Sequence, residues 1–218
     1  VKPAPRKTAP AKSPSVAAKL AKAPHFVRII GGEWKRTRLA VADKAGLRPT
    51  PDRVRETLFN WLASVAGAGG GNLPGWRCVD AFAGTGALGL EAASRGAASV
   101  LLCEQDPALV AQLQVLKTKL SAEAVRVERG NGVTALERTP AGSLHAVFLD
   151  PPFDNAGLYA PALSAAVRAL RPAGVIYLEA ARRWNDEELS SLGLVVYRHL
   201  KAGAVHAHLL QRAADAAA

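Results

Sequence analysis

From Trp76 onward, short apolar runs alternate with amphipathic stretches. Runs at 77–82 (RCVDAF), 99–104 (SVLLCE), 124–128 (AVRVE), 144–149 (LHAVFL), 174–179 (GVIYLE), 194–199 (LVVYRH) and 204–210 (AVHAHLL) have the length and β-branched content of strands. Helical spacing falls between them at 86–95, 107–120, 132–138, 157–170 and, more weakly, 185–191. This alternation predicts an α/β fold: a doubly wound, seven-stranded, mostly parallel sheet with right-handed crossovers. Only residues 200–203 separate the last two runs. A parallel crossover needs about a dozen residues, so these two strands form an antiparallel edge hairpin. On such a sheet a ligand binds beyond the carboxyl ends of the strands.

Ahead of this block, 25–30 and 37–42 read as two short strands joined through Gly31-Gly32. A helix follows, with Thr50 as its N-cap, Pro51 at the first position and Asp52 complementing the dipole. Val54, Leu58, Trp61, Leu62 and Val65 form its buried stripe, and Arg53 and Arg55 fall off that stripe. Four glycines within 67–71 end the helix and mark a linker near 66–75. Residues 1–24 hold six cations, no acid and almost no bulky apolar side chain, so they read as a disordered basic tail. They lack the apolar core of a secretory signal, although a transit peptide is similarly basic. The expected organisation is a tail (1–24), a basic hairpin plus helix packed on the core (25–70) and a ligand-binding domain (75–212).

Composition narrows the partners. Hydrophobic residues at 49% and charged residues at 21% suit a globular, cytoplasmic chain, and no run approaches the ~18 apolar residues of a membrane span. Cys78 and Cys103 are too few for a disulfide framework, are not spaced as metal ligands, and read as buried strand residues. The net charge of +10 is uneven: residues 1–55 hold 14 Lys/Arg and 3 Asp/Glu, residues 56–218 hold 14 and 15. A basic arm on a near-neutral body points to a polyanionic partner. The candidate contacts are Arg28, Lys35, Arg36, Arg38, Arg48, Arg53 and Arg55. His206 and His208 share one face of the last strand and read as surface or packing residues, and Tyr177 and Tyr197 as core with a hydrogen-bonded rim.

The segment from Asp80 to Gly89 (DAFAGTGALG) leaves the first strand of the block and enters a helix. Gly84, Gly86 and Gly89 spell the dinucleotide fingerprint, and Glu104 stands 18 positions beyond Gly86. Yet Asp80 precedes the loop, where it would repel a pyrophosphate on the helix N-terminus. A carboxylate there suits a cationic ligand end such as the ammonium or sulfonium of S-adenosylmethionine. Glu104 could accept ribose hydroxyls with either cofactor. The loop favours S-adenosylmethionine over NAD, with a ligand-free turn as a third reading.

The fourth strand ends in Asp150-Pro151-Pro152-Phe153. Two prolines take the chain out of the sheet at its carboxyl edge and set the directions of the adjacent carbonyls. A carboxylate, a rigid carbonyl and an aromatic face can together hold a planar base by its exocyclic amine, with Phe153 stacking on the ring. The plain alternative is a strand-ending turn with a packed Phe.

Asp150–Phe153 resembles motif IV of the amino-methyltransferases, and Asp80–Gly86 resembles their S-adenosylmethionine motif. The block Arg28-Ile-Ile-Gly-Gly-Glu-Trp34, with the string from Gly46 to Asn60 (GLRPTPDRVRETLFN), is narrower. It is similar to the bacterial 16S ribosomal RNA guanine-N2 methyltransferases, the small-subunit methyltransferase D group, over about residues 26–210. One departure stands after Trp34: the family has a basic-Gly-Arg run, and this chain has Lys35-Arg36-Thr37-Arg38. The resemblance implies a class I S-adenosylmethionine-dependent enzyme without metal, with 16S rRNA in the small ribosomal subunit as substrate, acting as a monomer. It places Asp80, Phe82, Ala83, Gly84, Thr85 and Gly86 at the methionine end, Glu104 at the ribose and Asn131 near the adenine, with Asp150, Pro151, Pro152 and Phe153 catalytic. Asn131-Gly132 is also an ordinary turn signal. The tetrad does not separate guanine N2 from adenine N6 in DNA. An NAD-dependent oxidoreductase and a catalytically silent RNA-binding module are the readings from other classes.

Overall fold

A computed structural model describes residues 26–41, 50–67, 71–153 and 155–216. The expectations for the tail and for Arg48 lie outside these residues. Strands β1 (Phe26–Arg28) and β2 (Arg38–Ala40) pair antiparallel, and helix α1 (Asp52–Ala66) follows. Then come β3 (Arg77–Asp80), α2 (Ala87–Ser94), β4 (Ser99–Glu104), α3 (Pro107–Lys119), β5 (Val125–Arg129), α4 (Gly132–Arg138) and β6 (Leu144–Leu149). Helix α5 (Tyr159–Ala169), β7 (Leu170–Ala180), α6 (Asp186–Ser190), β8 (Leu194–Ala202), β9 (Val205–Arg212) and α7 (Ala213–Ala216) complete the order.

The large sheet has seven strands in the order β5-β4-β3-β6-β7-β9-β8. β3, β4, β5, β6 and β7 run parallel, and β9 pairs antiparallel with both β7 and β8, as the short connection requires. Strand order reverses between β3 and β6. The crevice at that switch point is framed by the residues at the carboxyl ends of those two strands.

Alternate strand residues feed two cores. Cys78, Phe148 and Tyr177 face a cluster with Leu90, Leu113 and the N-terminal layer, whereas Val79, Leu149 and Leu178 face one with Leu136, Leu163 and Ala166. Val27, Ile29, Leu39, Val54, Leu58, Phe59 and Leu62 are all buried in the first cluster. Each contributes roughly 1.5–3 kcal/mol of transfer free energy, so apolar burial holds this layer to the sheet. The exposed Arg28–Asp52 ion pair (3.0 Å) adds at most about 1 kcal/mol.

Several details depart from expectation. Thr50 does not cap α1: the N-cap is Pro51, which has no side-chain cap bond, and the Thr50 hydroxyl turns into the crevice instead. Arg55 is fully buried, because the packed face of α1 extends beyond the apolar stripe to include Phe59 and Ala63. Tyr177 is buried as expected, but Tyr197 is 40% exposed on the outermost strand, with the Arg198 guanidinium over its ring. His208 is buried, and its Nε2 accepts the Trp184 N–H at 3.1 Å. Cys78 and Cys103 are buried free thiols.

Candidate active site

The loop after β3 is held on every side by backbone bonds. Ala81 N–H donates to Phe148 O (3.1 Å), Ala83 N–H to Cys103 O (2.9 Å) and Gly86 N–H to Ala83 O (2.7 Å). Asp80 Oδ2 accepts from Gly89 N–H across the turn at 2.9 Å. At Gly89 a Cβ would stand 2.1 Å from Leu102 Cδ2, so glycine lets α2 lie directly on β4. At Gly132 a Cβ would stand 1.9 Å from Ala81 O, so the start of α4 abuts the loop from the other side. Phe82 is half-buried, Ala83 and Thr85 are buried, and Gly84 keeps partial exposure.

Glu104 ends β4 and bridges two elements: Oε2 accepts Gly84 N–H (2.8 Å) and Oε1 accepts Asp106 N–H (2.9 Å). Asn131 is exposed and caps α4, its Oδ1 accepting Val133 N–H (2.8 Å) and Thr134 N–H (3.3 Å). The turn signal at Asn131-Gly132 is thus a helix cap.

Asp80 is almost fully buried, and its Oδ1 has no hydrogen-bond partner. Burial pushes its carboxyl up to about 7; bonds from Gly89 and Phe82 pull the other way, and nearby Glu104 and Glu179 push further up. An orphaned, destabilised carboxylate oxygen at this point fits a cationic donor, such as the ammonium of S-adenosylmethionine, and disfavours a phosphate.

Asp150 follows the last residue of β6. Burial raises its carboxyl well above the ordinary range, with Glu179 and then Asp80 adding to the effect. Pro151 is buried, Pro152 exposed and Phe153 40% exposed, an aromatic face open at the crevice mouth.

Glu179 is the site residue that sequence reading passed over. It is 2% exposed near the end of β7, where Leu149 pairs with Leu178, so Asp150 and Glu179 are register neighbours. Its Oε1 accepts the Thr50 hydroxyl at 2.5 Å and the Tyr177 hydroxyl at 2.8 Å. A signal was present: the apolar runs of β3, β4, β6 and β7 each meet a carboxylate at the carboxyl end, namely Asp80, Glu104, Asp150 and Glu179.

Of the basic candidates, Arg28, Lys35, Arg36, Arg38 and Arg53 are exposed. Arg55 is not a surface contact: its Nη2 meets Asp52 Oδ1 (2.6 Å), its Nε donates to Thr50 O (3.2 Å) and its Nη1 lies 3.6 Å from Glu91. Glu91, fully buried on α2, also accepts Ile30 N–H (2.6 Å), Gly31 N–H (2.8 Å) and Arg95 Nε (2.8 Å). Helix α2 therefore ties the hairpin loop at one end to the glycine loop at the other. Arg36, in the run after Trp34, takes φ = 73°, a left-handed conformation that glycine adopts without strain.

The strand order, the glycine loop that follows a buried carboxylate and the Asp-Pro-Pro-Phe corner together define the Rossmann-like methyltransferase class. The fold is shared with a Geobacter metallireducens precorrin-6y C5,15-methyltransferase, 19% identical, which superposes with a TM-score of 0.60 over 80% of this chain and 94% of its own. Within that class, residues 27–211 match the family described as conserved hypothetical protein 95, and the chain belongs to it. It is 42% identical over 195 residues to ribosomal RNA small subunit methyltransferase D of Escherichia coli, covering 87% of this chain and 91% of that one. The solved structure of E. coli yhhF, 36% identical, superposes with a TM-score of 0.70 over 86% and 98% of the two chains.

Proposed function

We propose that this protein methylates the exocyclic N2 amine of one guanine in 16S rRNA, within the assembled small ribosomal subunit in the cytoplasm. The single observation that carries the reading is the placement of Asp150, at the head of Asp150–Phe153, near the buried, orphaned Asp80 at one sheet switch point. S-adenosylmethionine, when bound, supplies an activated methyl group. Asp80 would take its ammonium, the backbone from Phe82 to Gly86 would line its methionine end, Glu104 would hold its ribose, and the α4 start at Asn131 would border its adenine. Glu104 keeps lone pairs for this task beyond the two backbone bonds it makes.

The chain's own work is alignment. Guanine N2 is a weak nucleophile because its lone pair is delocalised into the ring. Hydrogen bonds from its two protons to Asp150 and a neighbouring carbonyl would localise that pair and aim it, a stabilisation greatest in the transition state. Exchanging the cofactor's S–CH3 bond for an N–CH3 bond, with the electron pair left on sulfur, would leave the amine one proton in excess. Asp150, held more basic than an ordinary carboxylate, can accept it. Phe153 would stack on the splayed base.

In this reading residues 25–70 form the RNA-contact layer and 75–212 the catalytic unit. Lys35, Arg36 and Arg38 on the hairpin and Arg53 on α1 would neutralise phosphates, fixing register without reading sequence. The test is labelled S-adenosylmethionine offered to unmethylated small subunits, naked 16S RNA and duplex DNA, with product nucleosides identified. N2-methylguanosine from small subunits is expected. N6-methyladenosine from DNA would overturn the reading.

A further inference from the structure

Glu179 stands next to Asp150 across the β6–β7 pair and belongs to none of the motifs discussed above. Both of its hydrogen bonds end on Oε1, one from Thr50 and one from Tyr177. Among the described residues the fully buried unpartnered side-chain polar atoms are Arg55 Nη1 and Asp80 Oδ1. Glu179 Oε2 has no hydrogen bond to a described residue and is not among these sealed atoms, and Glu179 stands beside Asp150 at the carboxyl end of the sheet, where the crevice lies. The carboxylate is locked by two donors from two elements, the entry to α1 and the middle of β7, so one oxygen is pinned and the other is presented.

Guanine and adenine differ along the edge that would meet this pair. Guanine offers N2–H2 and N1–H, two adjacent donors. Adenine offers its N6–H2 beside N1, a bare acceptor. In their ionised form two neighbouring carboxylates are all-acceptor, complementary to guanine and repulsive to the lone pair at N1 of adenine; guanine's two donors favour that form against the protonation that burial promotes. We propose that Glu179 is a specificity-determining residue, with Oε2 accepting guanine N1–H while Asp150 holds the N2 amine. This rests on the guanine-N2 reading and adds what that reading lacks, a physical reason for choosing guanine. Thr50 acts here as a positioning residue, since its hydroxyl fixes which oxygen of Glu179 faces the base.

The experiment follows from the same lock. In Glu179→Gln the amide oxygen stays with the two hydroxyl donors, which turns the amide N–H2 to where Oε2 stood. The site then presents a donor in place of an acceptor. 2-Aminopurine keeps the N2 amine but has a bare acceptor at N1. Small subunits are reconstituted with 16S RNA ligated to carry either guanine or 2-aminopurine at the methylated position, and methyl transfer to each is measured. The wild-type protein should favour guanine by roughly 100-fold, because a site built to bond a donor rejects a base lacking it. Glu179→Gln should shift that preference toward 2-aminopurine by at least about 10-fold. Equal loss on both bases with an unchanged ratio would assign Glu179 a structural role and overturn the proposal. If Glu179→Gln does not fold, the wild-type ratio still decides: equal use of guanine and 2-aminopurine overturns it. Failure of the wild type to transfer methyl to either base would instead overturn the guanine-N2 reading itself.

Discussion

Replacing Glu91 by alanine removes a carboxylate that meets both the hairpin loop and two buried guanidinium groups. Its oxygens accept Ile30 N–H and Gly31 N–H and pair with Arg95, and Arg55 lies 3.6 Å away. The side chains of Glu91 and Arg55 are fully buried and that of Arg95 is 9% exposed, so solvent cannot replace what is lost. Deleting one partner of a buried ion pair costs about 3–5 kcal/mol, because the other charge is left uncompensated. Each stranded backbone N–H adds about 1–3 kcal/mol if the loop cannot move to water. These terms overlap, since the loop can peel from α2, so we expect a total near 4 kcal/mol. For a chain of this size that lowers Tm by roughly 8–16 °C. Thermal unfolding followed by circular dichroism measures it. Glu91→Gln, which keeps an acceptor but not the charge, should fall between wild type and alanine. A Tm drop under about 3 °C for Glu91→Ala would refute the claim that this network fastens the hairpin to the cofactor helix.

Asp150→Ala should abolish methyl transfer while S-adenosylhomocysteine binding, followed by calorimetry, stays within about 3-fold; loss of binding with residual turnover intact would contradict its place at the acceptor side. Asp80 has a folded pKa near 7 against an ordinary 3.8, so the folded state holds a proton the unfolded state releases between those values, and stability falls as pH rises through that window. Asp80→Asn should therefore raise the Tm of the ligand-free protein at pH 8, lose that advantage below about pH 4, and bind S-adenosylmethionine more weakly; an advantage that does not change with pH would dismiss the buried charge as the cause. Arg36→Gly relieves the φ = 73° conformation and should stabilise the protein by up to about 1 kcal/mol. The same change removes a cation, so RNA affinity should weaken and its salt dependence flatten, and an unchanged salt slope would exclude Arg36 as a phosphate contact.

Much of this protein is legible along the chain because its determinants are local. Apolar run length set β4 and β6 at their observed bounds, residues 99–104 and 144–149. The short gap read at 200–203 dictated the antiparallel edge because no crossover fits it, and in the structure pairing runs on through Ala202 and Val205 to leave a still tighter turn. Asp80, the glycine loop and Asp150–Phe153 stand out because strand ends and proline breaks are visible one residue at a time. Three facts depended on what each side chain meets from distant segments. Arg55 looks like a surface cation in its own helix and becomes a core residue only because Glu91, 36 positions on, arrives to neutralise it. Thr50 reads as a helix cap until Glu179, 129 positions away, takes its hydroxyl. Glu179 itself ends an apolar run like its neighbours, and only the parallel register of β6 and β7 sets it beside Asp150. Local pattern decides which elements form and where they end; burial and charge pairing between remote segments decide which polar residues become structure and which face the substrate.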